Sequence, residues 1–155
     1  MKLKLVLMLL PAFAAYITCA QDATALRKKH FNLSKGVAIE GYDPVAYFTQ
    51  NKAIEGKKEM AFAFEGATYY FSSEQNREEF KKHPSKYEPA YGGWCAYAMG
   101  AEGDKVDINP QTFKIVNGKL NLFYNKYFNN TLTKWNKDEV ALKAKAEQNW
   151  QKTFR

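Results

Sequence analysis

Residues 60–80 carry the sequence MAFAFEGATYYFSSEQNREEF, which predicts two strands followed by a helix. Over residues 60–64, large apolar side chains alternate with alanine, which is the period of a strand with one buried face. Glu65 and Gly66 give a turn signal, and residues 67–71 return as a second strand rich in aromatic and β-branched side chains. A hairpin followed by a helix is typical of an α+β domain with an antiparallel sheet.

The helix that follows this hairpin has start and stop signals in the sequence. Ser72 or Ser73 can cap its first turn, and Ser72 with Gln75 fits a capping box. The helix should end near His83, because Pro84 disfavours helical geometry in the residue before it.

A second hairpin is predicted further along the chain. Two largely apolar runs, residues 112–116 and 119–124, are joined by Asn117-Gly118. Asn-Gly is the pair that two-residue hairpin turns favour, because both positions adopt positive φ. Asn117 and Gly118 are therefore expected to be structural turn residues.

The remaining organisation is simple. A C-terminal helix is expected from Asn136 to about Lys152. Residues 21–35 are polar and are expected to form a flexible lead-in. The sequence thus predicts a small single α+β domain over residues 36–155, with antiparallel hairpins packed against short helices and a C-terminal helix.

The first 20 residues have the pattern of a secretory signal peptide. Lys2 and Lys4 precede an apolar stretch that is too short to span a bilayer, and small residues follow it. Cleavage after residue 20 would leave Gln21 as the first residue of an exported protein, periplasmic or secreted. A lipoprotein anchored through Cys19 is the weaker alternative, because Thr18 precedes the cysteine where lipidation prefers a smaller residue.

Charge and hydropathy argue against a nucleic-acid partner and against a transmembrane segment. The full chain has 23 basic and 16 acidic residues. Removing Lys2 and Lys4 with the leader leaves 21 basic against 16 acidic residues, a net charge of +5. Acidic residues interleave many of the lysines, as on a solvated surface, so no nucleic-acid partner is expected. No later stretch approaches 18 apolar residues, so no transmembrane segment is predicted.

Catalytic motifs are absent from the sequence. It contains no HExxH, CxxC, Walker loop or GxSxG pattern. The histidines, His30 and His83, fit surface or helix-capping positions. Because Cys19 leaves with the leader, Cys95 is the single cysteine of the mature chain and no intramolecular disulfide is possible. A non-enzymatic protein is favoured.

The segment at residues 91–99 is the most unusual of the chain. Gly92 and Gly93 allow a tight structural turn just before Cys95. If residues 94–99 are helical, Met99 lies one turn beyond Cys95 on the same face, and thiolate with thioether is a soft ligand pair suited to Cu(I). The alternative is that both side chains are core residues.

A pocket is expected around this thiol. Asp43 suits the N-cap of a short helix that begins at Pro44. This segment and the double-glycine segment are both turns that lead into short elements, where sites are often presented. The aromatic and acidic side chains expected to wall the pocket are Tyr42, Asp43, Tyr47, Tyr91 and Trp94.

Several segments together resemble the YHS domain, a short hairpin-helix module, in its exported branch. The resemblance covers about residues 36–150. The residues that carry it are GYDPVAYF (41–48), YYFSSE (69–74), YGGWCA (91–96), Phe80, Pro84, Tyr87, Asn117-Gly118-Lys119-Leu120 and Trp135.

The resemblance implies metal or thiol chemistry, but at a different residue from the one used in most YHS modules. YHS modules are described as heavy-metal-binding, with cysteines after the Asp-Pro-Val and Tyr-Tyr-Phe segments. Here Ala46 and Ser72 occupy those positions, and Asn76 stands where a further thiol could be, so the usual metal site is not carried over. In the exported branch the cysteine of the Gly-Gly-x-Cys segment is sometimes selenocysteine, which implies a redox or soft-metal role for Cys95.

Two classes of function follow. The first is an exported YHS-like module that binds a soft metal, copper being the candidate cofactor, or performs thiol chemistry through Cys95 with Met99. The second is a non-enzymatic domain with an aromatic pocket for a small ligand or protein and a structural Cys95. A thiol peroxidase is a third, weaker idea, because the chain lacks a resolving cysteine.

Overall fold

The structure, a computed structural model, describes residues 23–153. The predicted signal peptide lies outside the described residues. The helices, in chain order, are α1 (residues 23–30), α2 (Ala46–Thr49), α3 (Glu74–Lys82), α4 (Pro84–Tyr87), α5 (Ala96–Ala101), α6 (Thr131–Trp135) and α7 (Glu139–Thr153). The strands are β1 (Leu33–Ser34), β2 (Val37–Ala38), β3 (Lys57–Phe64), β4 (Ala67–Phe71), β5 (Asn109–Val116), β6 (Lys119–Phe123), β7 (Asn125–Lys126) and β8 (Asn129–Asn130).

The first predicted hairpin is the centre of the main sheet. This sheet has four strands in the order β1-β2-β4-β3, in which β2 and β4 run parallel and the other pairs antiparallel. Glu65 and Gly66 have positive φ values of 43° and 89°, as the turn between β3 and β4 requires. The α+β class predicted from the sequence is confirmed.

The helix after this hairpin is also present, with a different cap. Asn76 N–H donates to Ser73 Oγ at 3.2 Å, so Ser73 is the N-cap of α3. The predicted Ser72–Gln75 capping box is wrong, because the Ser72 hydroxyl donates to Asp43 instead. The helix ends at His83, as expected before Pro84.

The second hairpin forms as predicted. β5 and β6 pair antiparallel around Asn117 and Gly118, whose φ values are 49° and 71°. The C-terminal helix begins later than expected, since a separate short helix, α6, ends at Trp135 and α7 begins at Glu139.

The expected flexible lead-in is instead ordered structure from residue 23. Residues 23–30 form α1 and β1 follows directly. Arg27 of α1 pairs with Glu88, and the His30 carbonyl accepts a 2.7 Å hydrogen bond from Trp94 Nε1. These partners lie more than 60 positions away in sequence, so the local composition gave no sign of them.

The apolar core has two parts. The larger cluster fills the space between the main sheet, α3 and β6 and includes Tyr69, Phe80 and Cys95. The second cluster lies under α5, α6 and α7 and includes Met99 and Trp135. Within residues 23–153, none of the helices has both the length and the apolar character that crossing a membrane requires.

Candidate functional site

Cys95 lies in the core rather than at a pocket rim. Its side chain is fully buried, and it is unpaired. The Tyr124 N–H donates to its Sγ at 3.3 Å, and Sγ lies 3.4 Å from Thr131 Oγ1. The expected pocket around this thiol is therefore not present within residues 23–153, because β6 and α6 close over the sulfur, and Cys95 has the core position given as the alternative.

Met99 follows Cys95 by one helical turn, as predicted, and its N–H donates to the Cys95 carbonyl. It is also fully buried, but it packs in the second cluster with Phe123 and Trp135, while Cys95 belongs to the larger one. Among residues 23–153, no three His, Cys, Asp or Glu side chains are grouped so that they could hold a metal ion.

The five side chains predicted to wall one pocket are dispersed. Tyr47 is buried and donates to the Pro110 carbonyl at 2.9 Å, while Tyr42 lies near Glu55 at 3.4 Å between the two side-chain oxygens. Trp94 lines a separate open cleft of about 940 Å³ beside β1. Of the five, only Tyr91 faces the cavity described below. The prediction of one shared pocket is wrong, because the two turns lead into different parts of the core.

Asp43 caps α2 and also organises a buried polar cluster. Its Oδ1 accepts from the N–H groups of Val45 and Ala46 at 2.9 and 3.3 Å. Its Oδ2 accepts from the Ser72 N–H and hydroxyl and from Asn76 Nδ2, at 2.8, 2.6 and 2.7 Å. Five donors thus satisfy this fully buried carboxylate without a cation. The three positions where the YHS resemblance places thiols surround it.

The double-glycine segment makes the tight turn that the sequence predicts. Tyr91, Gly92 and Gly93 have φ values of 53°, 60° and 86°. The Asn32 N–H donates to the Gly92 carbonyl at 2.9 Å, which ties the chain after α1 to this turn. A Cβ atom on Gly92 would lie 2.7 Å from the Trp150 ring and 2.8 Å from the Phe31 ring, so only glycine allows both rings to close against the turn.

These rings form the wall of a cavity of about 380 Å³, which we call the Tyr91 cavity. It lies between the double-glycine turn, the β5–β6 hairpin, the end of α7 and Phe31. Phe31 and Trp150 stand with their ring centroids 6.0 Å apart and their planes at 48°. The residues that give it its character are Phe31, Glu88, Tyr91, Asn121, Lys143 and Trp150. A few polar groups on mostly apolar walls are typical of small-molecule sites.

Asn121 is the polar residue of this wall with an unfilled hydrogen-bonding position. It is 1% exposed, and its Nδ2 donates to the Lys119 carbonyl at 3.0 Å. Its Oδ1 is buried and accepts no hydrogen bond. A carbonyl oxygen only accepts, so the amide nitrogen must face Lys119 and the oxygen is the unsatisfied atom. Leaving such an atom unpaired costs about 1–3 kcal/mol.

An ion pair closes the cavity on the side of α1. Arg27 donates to both carboxylate oxygens of Glu88, and the Tyr69 hydroxyl donates to Glu88 Oε1 at 2.5 Å. Burial, the nearby Glu88 charge and this hydrogen bond raise the pKa of Tyr69. Glu88 therefore stays paired, and its charge is compensated before any ligand enters.

The opposite rim carries both signs of charge. Lys143 and Glu147 of α7 pair at 2.5 Å across one helical turn. Burial and the Glu147 charge raise the pKa of Tyr91 to about 12, so its hydroxyl is protonated at neutral pH. The Glu88 charge and the Lys143–Glu147 pair are thus compensated, whereas Lys119, which also lines the cavity, donates to the Ser85 carbonyl and leaves one positive charge at the rim. A neutral, zwitterionic or singly negative molecule fits these charges.

The histidines take no part in this site. His83 is exposed at the end of α3. His30 Nδ1 lies 3.0 Å from Lys105 Nζ, and slight burial together with the charges of Lys105 and Lys29 lowers the pKa of His30. Both positions agree with the surface roles expected from the sequence.

Sequence reasoning found Tyr91 and the glycines of this site but missed the rest. Trp150 and Phe31 come from the two ends of the domain, and Asn121 stands inside an apolar strand. The one signal in the sequence was a single Asn among Leu and Phe over residues 119–123. A buried amide with no evident hydrogen-bond partner is a candidate for ligand contact.

No protein-family model, no curated protein and no solved structure matches this chain. The geometry of the site is therefore the basis for the proposed function.

Proposed function

We propose that this protein is an exported, non-enzymatic binding domain that takes a small ligand in the Tyr91 cavity. The observation that carries the proposal is Asn121, whose buried Oδ1 lacks a partner in the wall of an aromatic cavity. A ligand that brings a hydrogen-bond donor to this oxygen would remove the penalty of the unpaired atom.

The cavity favours a flat, mostly apolar molecule with one donor. Aromatic side chains contribute to its wall, and about 380 Å³ accommodates one or two rings. The donor can be a hydroxyl, an amide or an amine, because each can serve an amide oxygen.

Cys95 has a structural role in this proposal. Its full burial and the two polar contacts of its sulfur support packing over copper binding or thiol chemistry. A metal site at Cys95 and Met99 would require β6 and α6 to open.

The proposal includes that this domain is YHS-like. It is supported by the convergence of Ala46, Ser72 and Asn76 on Asp43, because residues far apart in sequence meet where the resemblance expects one site. In this chain that site is a hydrogen-bonded cluster, which leaves ligand binding to the Tyr91 cavity.

The test compares two ligands that differ by one donor. p-Cresol carries a hydroxyl, and 4-methylanisole replaces its hydrogen with a methyl group. We expect p-cresol to bind about tenfold more tightly, the value of one net hydrogen bond, as measured by tryptophan fluorescence or saturation-transfer NMR. In Asn121→Leu the difference between the ligands should vanish.

Stability provides the second measurement. Because Asn121→Leu removes an unsatisfied polar atom at similar volume, we expect the urea midpoint to stay equal or rise while the preference for p-cresol is lost. Gln148→Leu, an exposed amide on the same α7 that carries Trp150, is the matched control and should leave binding unchanged. Equal binding of the two ligands to the wild-type chain would contradict the proposal.

A further inference from the structure

The hairpin formed by β7 and β8 ends in two strongly exposed aromatic residues. Tyr127 is 89% exposed and Phe128 fully exposed, and they are adjacent at the tip. Val140 is the other large apolar residue of residues 23–153 that is exposed to a comparable degree. Two neighbouring aromatic rings exposed to this degree form a concentrated apolar surface.

The backbone at this tip is unusual for such side chains. Tyr127 and Phe128 have φ values of 52° and 61°. A two-residue turn with positive φ at both positions favours Asn and Gly, as at Asn117-Gly118, and is costly for bulky residues. Folding alone would be served better by small residues here, so the aromatic pair points to a role outside the fold.

The chain segment that carries the tip is basic, although Asp138 and Glu139 follow it directly. Residues 108–137 contain five lysines and no aspartate or glutamate. Lys114 pairs with Glu139, and Lys119 donates to the Ser85 carbonyl. The other three, Lys126 beside the tip and Lys134 and Lys137 around the end of α6, are exposed. Aromatic rings with flanking lysines are the combination that anionic lipid surfaces attract.

We propose that Tyr127 and Phe128 insert into the interfacial layer of an anionic lipid bilayer while Lys126, Lys134 and Lys137 face its headgroups. A projecting tip of two residues is too small for a stable protein interface, which buries about 800 Å² on each partner. It suits a bilayer, where apolar groups penetrate about 5–10 Å into the headgroup region. This surface is independent of the Tyr91 cavity, so either proposal can fail alone.

The test measures partitioning of the full chain onto vesicles of phosphatidylcholine, with and without phosphatidylglycerol. We expect binding to the anionic vesicles, weakened by 0.5 M salt because the lysine contribution is screened. The variant Tyr127→Asn with Phe128→Gly carries the residues this turn favours, so it should fold at least as well. Its partition coefficient should fall about tenfold or more, whereas Val140→Ser should bind like the wild type.

A second measurement locates the contact with the bilayer. It is needed because residues 1–20 are present in all variants and are themselves apolar, so they could bind vesicles as well. In Phe128→Trp, the added emission should shift to the blue on anionic vesicles and be quenched by brominated lipids, and in Val140→Trp it should not. Three results would overturn the proposal: no vesicle binding, equal partitioning of the Asn-Gly variant, or loss of self-association in that variant without any change in vesicle binding. The last would assign the tip to a second copy of the chain.

Discussion

The surroundings of Cys95 determine what its thiol can do. The sulfur is enclosed by β6 and α6 and has Tyr124 N–H and the Thr131 hydroxyl as polar neighbours. The structure places Cys95 at the start of a short helix, as the sequence analysis supposed, and buries its side chain in the core.

We predict that Cys95 reacts with iodoacetamide only when the chain opens. In the folded protein at pH 8, alkylation should be at least about 100-fold slower than in urea, because a buried thiol reacts through a rare open state. Peptide mapping by mass spectrometry measures Cys95 separately from Cys19. A folded-state rate close to that in urea would contradict the structural role and reopen the thiol hypothesis.

Asp43 and Asn121 illustrate what single residues reveal in a sequence. The N-cap role of Asp43 follows from the adjacent Pro44 and was predictable from local chemistry. Its contacts with Ser72 and Asn76 were not, because they join residues 29 and 33 positions apart. For Asn121, the sequence shows a polar residue in an apolar strand, but only the structure shows that its oxygen has no partner.

Among the elements, the β5–β6 hairpin shows where local signals suffice. Its turn needs positive φ at both positions, and Asn117-Gly118 encodes that requirement without help from the rest of the chain. At such a turn, the effect of backbone strain on stability can be measured separately from the effect of side-chain packing.

We predict that Gly118→Val destabilises the protein by about 1 kcal/mol or more. A Cβ atom at this position would meet nothing within 4 Å, so the cost comes from holding a β-branched residue at a φ of 71°. Urea unfolding measures the change. Gly118→Asn is the matched control and should lose much less, because Asn tolerates this conformation; equal losses would show that the turn differs from the one described.

The N-terminal α1 shows where local signals fail. Its sequence is polar and charged, and in isolation a helix of this length is marginal. It is held by Arg27, which bonds Glu88 and lies with its guanidinium carbon 4.4 Å from the Phe31 ring centroid. The boundary between α6 and α7 was also not predicted. The apolar residues near one face of the expected helix continue across this boundary, while the backbone leaves the helical conformation there.

For the whole molecule, tyrosines dominate the response to alkaline pH. Burial is the first cause that raises the pKa of Tyr47, Tyr69 and Tyr91, the last to about 12. These residues come from both parts of the core, so their ionisation bears on the entire domain.

We predict that stability falls as the pH rises above about 10. The folded-state pKa values of Tyr47, Tyr69 and Tyr91 exceed their unfolded values, so the contribution of each is fully present below pH 10 and is lost as the pH rises through the folded-state value, about 12 for Tyr91. The expected loss is roughly 1 kcal/mol per pH unit for each such tyrosine.

Urea midpoints between pH 8 and 11.5 measure this loss. Tyr91→Phe should reduce the slope, whereas Tyr127→Phe, at an 89% exposed position, should not. A stability that is constant between pH 10 and 11.5 would contradict the burial of these hydroxyls.

The attachment of α1 also sets an order of events during synthesis. Its partners Glu88 and Trp94 lie 61 and 64 positions further along the chain than the residues they hold. Helix α1 can therefore make its first tertiary contact, between Arg27 and Glu65, once the β3–β4 turn has followed it, and its remaining contacts only once about residue 94 has done so. The Tyr91 cavity, which needs both Phe31 and Trp150, can be completed only after residue 150 has been delivered.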